Sequence, residues 1–174
     1  MPDKQLKVVI TGAESTGKST LSEALANHYH SISVPEFSRS YVESLKQPYT
    51  YNDVEFIARK QIEIEQNILS NKSPVFFDTW LIITKVWFDF VYKKRPEWLD
   101  SYIKNSSIDL FLVCDIDLPW VFDPVRENGG ENRQILQNIY IDHLKKYGFN
   151  FKIVSGEGEE RIKNAIHFVD QLIP

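Results

Sequence analysis

The sequence has a single cysteine, Cys114, which excludes an intrachain disulfide. This usage is typical of proteins from a reducing compartment. Cys114 lies inside the apolar run of residues 108–114, where a thiol is usually buried and unreactive. We therefore expect packing and hydrogen bonds to hold the fold, with no catalytic role for the cysteine.

Long apolar runs and an excess of positive charge are also missing. No stretch approaches the roughly 20 apolar residues of a membrane-spanning helix, and the polar residues 1–7 do not resemble a signal peptide. The formal net charge of -4 argues against nucleic acid or an anionic membrane as the main partner. We expect a cytoplasmic protein with neither partner, and the sequence leaves its oligomeric state open.

What is present is an alternation of short apolar runs with amphipathic segments. Strands are predicted at residues 6–11, 31–35, 75–77, 108–114 and 149–154. Helices are predicted after the first strand, from the capping-box pair Thr50 and Asp53 to about residue 71, and at 80–92, 134–147 and 160–172. Strands that alternate with helices predict a parallel sheet with helices on both faces.

The first strand leads into the segment GAESTGKS at residues 12–19, which matches the P-loop pattern G-x-x-x-x-G-K-[ST]. Glycines let the backbone wrap closely around phosphate oxygens, and the following helix adds the positive end of its dipole. Lys18 would hold the β- and γ-phosphates, and the Ser19 hydroxyl would coordinate Mg²⁺. The residues expected to bind ATP are Gly12, Glu14, Ser15, Thr16, Gly17, Lys18, Ser19 and Thr20.

A small-molecule kinase is the class of P-loop protein that fits the rest of the chain. The N-K-x-D element of guanine-specific GTPases is missing, although no other base-reading motif decides between ATP and GTP. The chain is also short for the usual AAA+ arrangement with its separate helical lid domain. The predicted fold is an α/β P-loop NTPase three-layer fold, with a five-stranded parallel sheet, helices on both faces and a lid segment. Residues 1–174 would form one P-loop kinase-like domain, with the lid at about 119–134.

Acidic residues follow three of the predicted strands. Glu36 and Arg39 follow the second strand, and the carboxyl ends of parallel strands face the ligand crevice. Glu36 could accept the proton of an attacking hydroxyl and Arg39 could fix the substrate; a helix-start acid with a solvated arginine is the alternative. Asp78 ends the third strand, where P-loop proteins hold Mg²⁺. Asp115 follows the fourth strand and competes for that role, although a local cap is the simpler interpretation.

The polar loop at residues 119–134 carries two further candidates, Arg126 and Arg133, which flank a pair of glycines. Kinases bring arginines over the transferred phosphoryl group when a lid closes, and glycines supply the freedom for that movement. The alternative is that both arginines are simply solvated.

Four blocks of the sequence together resemble the nicotinamide riboside kinase domain of NadR-type proteins. They are GAESTGKSTL, VPEFSR, FFDTWLIITK and DLPWVFDPVR, at residues 12–21, 34–39, 76–85 and 117–126. The resemblance runs over nearly the whole chain. It implies ATP- and Mg²⁺-dependent phosphorylation of a ribonucleoside 5′-hydroxyl, with nicotinamide riboside as the type substrate. NadR-type chains carry an adenylyltransferase domain before the kinase, whereas here the P-loop strand begins at Leu6, so we expect a stand-alone kinase unit.

The resemblance also implies a role for each site residue. The expected catalytic residues are Lys18, Glu36, Asp78, Arg126 and Arg133. The expected substrate contacts are Glu36, Arg39, Trp80 and the lid acid Asp123, and the expected metal ligands are Ser19 and Asp78.

Trp80 is a departure from the family, because it stands where the D-T-D block of these proteins has its second aspartate. If that aspartate touches the substrate, Trp80 changes the pocket and could stack on a flat base. Packing in the core is the alternative.

Two other functions stay open on the sequence. The acceptor could be another nucleoside or a nucleoside monophosphate, which would need added cations such as Lys85 and Arg39. The chain could instead be a nucleotide-dependent binding module that presents the aromatic segment 80–92 to a partner, although such a segment is more typical of a buried core.

Overall fold

Five strands form the centre of the protein, in a computed structural model that describes residues 5–68, 72–122 and 130–173. They are β1 (Lys7–Thr11), β2 (Ile32–Val34), β3 (Val75–Asp78), β4 (Leu110–Cys114) and β5 (Phe151–Val154). All pair in parallel, in the order β2-β3-β1-β4-β5. The predicted five-stranded parallel sheet is confirmed.

Helices cover both faces of the sheet. They are α1 (Lys18–His28), α2 (Phe37–Ser44), α3 (Tyr51–Gln66), α4 (Leu81–Trp87), α5 (Glu97–Lys104), α6 (Glu131–Tyr147) and α7 (Gly158–Asp170). A π-helical segment, Phe88–Tyr92, continues α4. None of the helices in the described ranges is both long and apolar enough to span a bilayer.

Alternate residues of the central strands point to opposite faces and thereby create two cores. In β1, Val8 and Ile10 pack on the side of α1 and α7, in the same cluster as Leu25. Val9 packs on the side of α3 to α6, in the same cluster as Leu81. Each such fully buried side chain stabilises the fold by about 1.5–3 kcal/mol. The two cores explain the three-layer architecture.

The central position of β1 places the loop that follows it between two neighbouring strands. Ile10 pairs with Asp78 of β3, and Thr11 pairs with Val113 of β4. The carboxyl ends of β1, β3 and β4 therefore converge at one edge of the sheet, where open α/β sheets bind their ligands.

Two of the helices have no counterpart among the sequence predictions. α2 has only eight residues and buries none of them, so Phe37 and Tyr41 form too short an apolar stripe for the helix to be predicted. α5 is equally short and buries only Leu99 and Ile103. Short helices with few buried positions are held by their tertiary context.

Two predicted helices end earlier than expected. α3 stops at Gln66 with Asn67 as its C-cap, whereas the prediction extended it to Asn71, which lies outside the described residues. α4 gives way to the π-helical segment after Trp87. Phe90 in that segment is 50% exposed, so the expectation of a buried helix is wrong for this part.

The predicted capping box at the start of α3 is confirmed, and it generates a test of local stability. The Asp53 N–H donates to Thr50 Oγ1 at 3.4 Å, and the Thr50 N–H donates to Asp53 Oδ2 at 2.7 Å. We expect Thr50→Ala to lower the free energy of unfolding by about 1 kcal/mol, because an amide at the helix start loses its acceptor. Urea unfolding measures this, with Thr50→Ser as the matched control that keeps the hydroxyl. Equal losses in both variants would contradict a role for the cap.

Candidate active site

The P-loop requires glycine at both glycine positions of its sequence pattern, residues 12 and 17. Gly12 has a φ of 136° and Gly17 a φ of 75°, in the region that side chains rarely adopt. A Cβ atom on Gly12 would lie 2.7 Å from the carbonyl oxygen of Cys114, which is closer than a carbon atom can approach. Gly12 thus lets the loop pack directly on the end of β4, and Gly17 forms the N-cap of α1.

Hydrogen bonds within the loop hold its shape. Thr16 Oγ1 donates to the carbonyl of Ala13 at 2.8 Å, and Lys18 Nζ donates to the same carbonyl at 2.7 Å. Thr16 is buried beneath the loop, and Ser19 and Thr20 are exposed in the first turn of α1. Glu14, Ser15 and Lys18 are half-buried along the loop. The structure therefore brings the eight predicted ATP-binding residues together in one cradle.

Asp78 lies at the end of β3, against the first turn of α1. Ser19 Oγ donates to its Oδ2 at 2.5 Å. The carboxylate is 5% exposed, and its buried Oδ1 has no hydrogen-bond partner in the described residues. Burial raises the pKa of Asp78 above its ordinary value, against the Ser19 hydrogen bond that lowers it, and nearby Glu36 raises it further. The buried carboxylate of Asp78 therefore has one oxygen whose hydrogen-bonding capacity is unsatisfied among the described residues.

This pair of oxygen-bearing side chains fits Mg²⁺. A cation would satisfy the buried Oδ1 and offset its desolvation, and Mg²⁺ prefers one or two protein oxygens with water and phosphate oxygens completing its shell. Ser19 and Asp78 supply that number. Elsewhere in the described ranges, no group of three or more His, Cys, Asp or Glu side chains could hold a metal ion.

Asp115 is engaged in local hydrogen bonds, whereas Ser19 bonds Asp78. Its Oδ1 accepts from the Ile116 N–H at 2.8 Å, and its Oδ2 accepts from Ser155 Oγ at 2.9 Å. Asp115 therefore anchors the loops that follow β4 and β5, and Asp78 is the acid that stands beside the P-loop.

Cys114 is fully buried at the end of β4. Burial raises the pKa of its thiol to about 11, so the thiol is protonated at neutral pH. The prediction of a buried cysteine is confirmed.

A crevice of about 410 Å³ opens beside the Ser19–Asp78 pair and contains two of the four predicted substrate contacts. Glu36 lines it at the N-cap of α2, and Arg39 lines it from the first turn of that helix. Ser38 Oγ donates to Glu36 Oε1 at 2.7 Å, which orients the carboxylate. Arg39 Nε donates to Glu43 Oε1 at 3.0 Å. The crevice thus holds a hydrogen-bonded carboxylate next to the phosphate cradle.

Two further acids of the crevice are not among the sequence predictions, Glu23 and Glu43. Glu23 lies four residues after Ser19 on α1, and residues at that spacing share one face of a helix. That spacing could have identified Glu23. Glu43 lies on α2, a helix that the sequence pattern does not predict.

Arg133 lies in the first turn of α6 and contacts the P-loop. Its guanidinium donates to the carbonyl of Ser15 at 3.1 Å and to the carbonyl of Leu118 at 3.0 Å. Arg133 therefore lies beside the P-loop and donates to backbone oxygens, and its role as a lid arginine stays a prediction. The other two lid predictions, Arg126 and Asp123, lie outside the described residues.

A comparison with known protein families identifies the family of this chain. A family model described as an AAA domain matches residues 7–161, from the first strand to α7. The chain belongs to this AAA domain family. In the described residues, this AAA domain consists of one sheet with its flanking helices, without a separate helical lid domain.

The chain is also similar in sequence to a curated protein. The trifunctional NAD biosynthesis/regulator protein NadR of Salmonella typhimurium is 26% identical over 173 residues, which are 95% of this chain and 42% of NadR. The chain therefore spans less than half the length of this relative. The resemblance to NadR that the sequence blocks predict is confirmed.

Solved structures agree on the fold. A NadR protein in complex with NR superposes with a TM-score of 0.80 at 23% identity, over 96% of this chain and 50% of that one. A thymidylate kinase from Ehrlichia chaffeensis superposes with a TM-score of 0.68 at 14% identity, over 97% of this chain and 98% of that one. This AAA domain therefore has the fold of P-loop kinases, as predicted.

Trp80 follows β3 and lies in the core, where it also lines a small cavity of about 20 Å³ together with Asp78. The side chain is 1% exposed, and its Nε1 donates to Glu65 Oε2 at 2.9 Å. The same carboxylate accepts from Lys7 at the start of β1, the opposite edge of the sheet. The ring packs on Phe111, with 5.9 Å between ring centroids. This burial favours the core alternative, and the substrate contact of Trp80 stays a prediction.

The core position of Trp80 generates a second test. We expect Trp80→Phe to lower the free energy of unfolding by about 1–3 kcal/mol, because the buried Glu65 loses a hydrogen-bond donor. The KM for a nucleoside acceptor should stay unchanged. Trp98→Phe is the matched control, since its indole donates to Glu55 in a half-buried setting and should cost less. A raised KM with unchanged stability would return Trp80 to the substrate site.

Proposed function

We propose that this AAA domain transfers the γ-phosphoryl group of ATP to the 5′-hydroxyl of a ribonucleoside, and that the acceptor is nicotinamide riboside. The product would be nicotinamide mononucleotide. The observation that carries the proposal is the acidic crevice beside the Ser19–Asp78 pair. The NadR-like P-loop kinase fold supports the class of reaction.

The charge of the crevice supports a cationic acceptor. Among the described residues that line it are the carboxylates of Glu23, Glu36, Glu43 and Asp78, against the one guanidinium of Arg39, which binds Glu43. The pyridinium ring of nicotinamide riboside is positively charged, whereas a nucleoside monophosphate would bring negative charge. Opposite charges attract across a low-dielectric cleft and like charges repel. The lining therefore favours nicotinamide riboside over a monophosphate.

Lys85, a cation that a monophosphate acceptor could have used, does not line this crevice. Its side chain is buried between helices, where Nζ donates to Asp89 Oδ2 at 2.9 Å. This leaves the acceptor side of the described site acidic.

Glu36 acts as the general base in the proposed mechanism. The 5′-oxygen forms a bond to the γ-phosphorus, the bond from that phosphorus to the bridging oxygen breaks, and ADP leaves. The hydroxyl proton passes to Glu36, whose carboxylate is held by Ser38. Lys18 would leave the Ala13 carbonyl to hold the β- and γ-phosphates.

Two components complete the proposed site. Ser19 and Asp78 would hold Mg²⁺, which when bound neutralises negative charge on the phosphates. A lid at about residues 119–134, with Arg126, Arg133 and the acid Asp123, stays part of the proposal, as does a single P-loop kinase-like domain over residues 1–174.

The first test of the function is product formation. We expect the purified protein with Mg-ATP to release ADP when nicotinamide riboside is added, with nicotinamide mononucleotide identified by mass spectrometry. Lys18→Ala is the blank, because it removes the charge that holds the phosphates. ADP release only with another nucleoside would change the acceptor. Nucleotide binding without turnover on any nucleoside would contradict a kinase and favour the binding module.

The second test addresses the base. We expect Glu36→Gln to reduce turnover by about 10²- to 10⁴-fold, the usual contribution of a general base, with ATP affinity retained. Glu43→Gln is the matched control, because Glu43 lines the same crevice but binds Arg39. Equal losses in the two variants would show that the charge of the crevice, rather than proton transfer to Glu36, supports turnover.

A further inference from the structure

Helix α6 contacts the phosphate loop through a side chain outside the P-loop pattern, Gln137. The amide is 3% exposed. Its Oε1 accepts from the Ala13 N–H at 3.0 Å, and its Nε2 donates to the carbonyl of Cys114 at 2.8 Å. One side chain thus bonds the second residue of the P-loop and the last residue of β4 at the same time.

Arg133 makes a second contact one helical turn earlier. Its guanidinium donates to the carbonyl of Ser15 at 3.1 Å. Ser15 Oγ in turn donates to the carbonyl of Val121 at 3.1 Å and accepts from the Val121 N–H at 3.2 Å. The loop backbone is therefore held on both sides of Glu14, by two side chains of one helix.

These contacts hold the backbone of the P-loop, whose conformation determines how well it binds phosphate. A P-loop binds through backbone N–H groups that must point inward together, so affinity depends on how well the loop is organised before the ligand arrives. The Ala13 carbonyl accepts from both Thr16 and Lys18, so the peptide groups around Ala13 connect to the rest of the cradle. A shift at Ala13 would move those bonds.

We infer that Gln137 is a positioning residue for the phosphate loop: it sets the orientation of the Ala13 peptide against β4, with Arg133 as its partner at Ser15. The inference rests on the proposed use of the P-loop for ATP. Gln137 acts through the loop backbone and stands apart from the acceptor crevice, whose described lining does not include it. Its loss should weaken ATP binding and leave the acceptor site unchanged.

The test compares Gln137→Met with Tyr147→Phe. Gln137→Met keeps the volume of the side chain and removes both of its hydrogen bonds. Tyr147→Phe is the matched control, because it removes a hydrogen bond to Asp100 at the other end of α6. Binding of Mg-ATP is measured by calorimetry without an acceptor, and the KM of the acceptor is measured separately. We expect about tenfold weaker ATP binding for Gln137→Met, the size of one buried hydrogen bond, with an unchanged acceptor KM and an unchanged ATP affinity for Tyr147→Phe.

Gln137→Asn carries the same test if Gln137→Met does not fold. It keeps the polar groups but is too short to bond Ala13 and Cys114 together, so we expect weaker ATP binding again. A folded Gln137 variant with wild-type ATP affinity would overturn the inference, as would an equal loss in Tyr147→Phe. Wild-type protein that binds no ATP would overturn the proposed function and this inference together, whereas ATP binding without turnover contradicts only the kinase.

Discussion

The approach of Gly12 to the carbonyl of Cys114 is the constraint on which the site depends. Any side chain at residue 12 would place its first carbon 2.7 Å from that oxygen. With glycine there, the loop leaves β1 in contact with β4, and the Ala13 N–H and the Cys114 carbonyl come within reach of the single amide of Gln137. Loop, strand and helix α6 are joined at this point, which fixes the cradle relative to the sheet.

The turn after β3 separates the site from the core. Asp78 accepts a hydrogen bond from Ser19 on the site side, whereas Trp80 enters the core and donates to Glu65. Thr79 between them has a φ of 65°, which is unusual for a β-branched residue and persists only where the surroundings stabilise it. Trp80 therefore contributes to the core, whereas Asp78, two residues earlier, contributes to the site.

The concentration of negative charge in the site is consistent with the proposed metal ion and cationic acceptor. Asp78 is buried with an unsatisfied oxygen, and burial raises its pKa. Glu23, Glu36 and Glu43 add further acids along the crevice. Such an arrangement is costly by itself, and cations that bind the folded state offset the repulsion and stabilise it. A metal ion on the phosphate side and a cationic acceptor on the other would both meet this need.

The sequence by itself determined the features that lie in contiguous residues. The strand, glycine loop and helix of the P-loop, the capping box of α3 and the five parallel strands follow from local conformation and periodicity, so the fold and half of the site could be predicted. The position of Glu36 and Arg39 after the second strand also identified them as candidates, and the structure places both in the crevice.

Only the tertiary structure decided the contacts between residues that are distant in the sequence. Gln137 bonds Ala13 across 124 positions of the chain, and Lys7 meets Glu65 across 58. No local pattern encodes such pairs, and the direction of Trp80 follows from the backbone at Thr79 and from the acceptor that Glu65 offers in the core. The charge of the crevice likewise arises because α1 and α2 pack beside β3. These features come from the packing of the whole chain, since each depends on which side chains the fold brings within a few ångströms of one another.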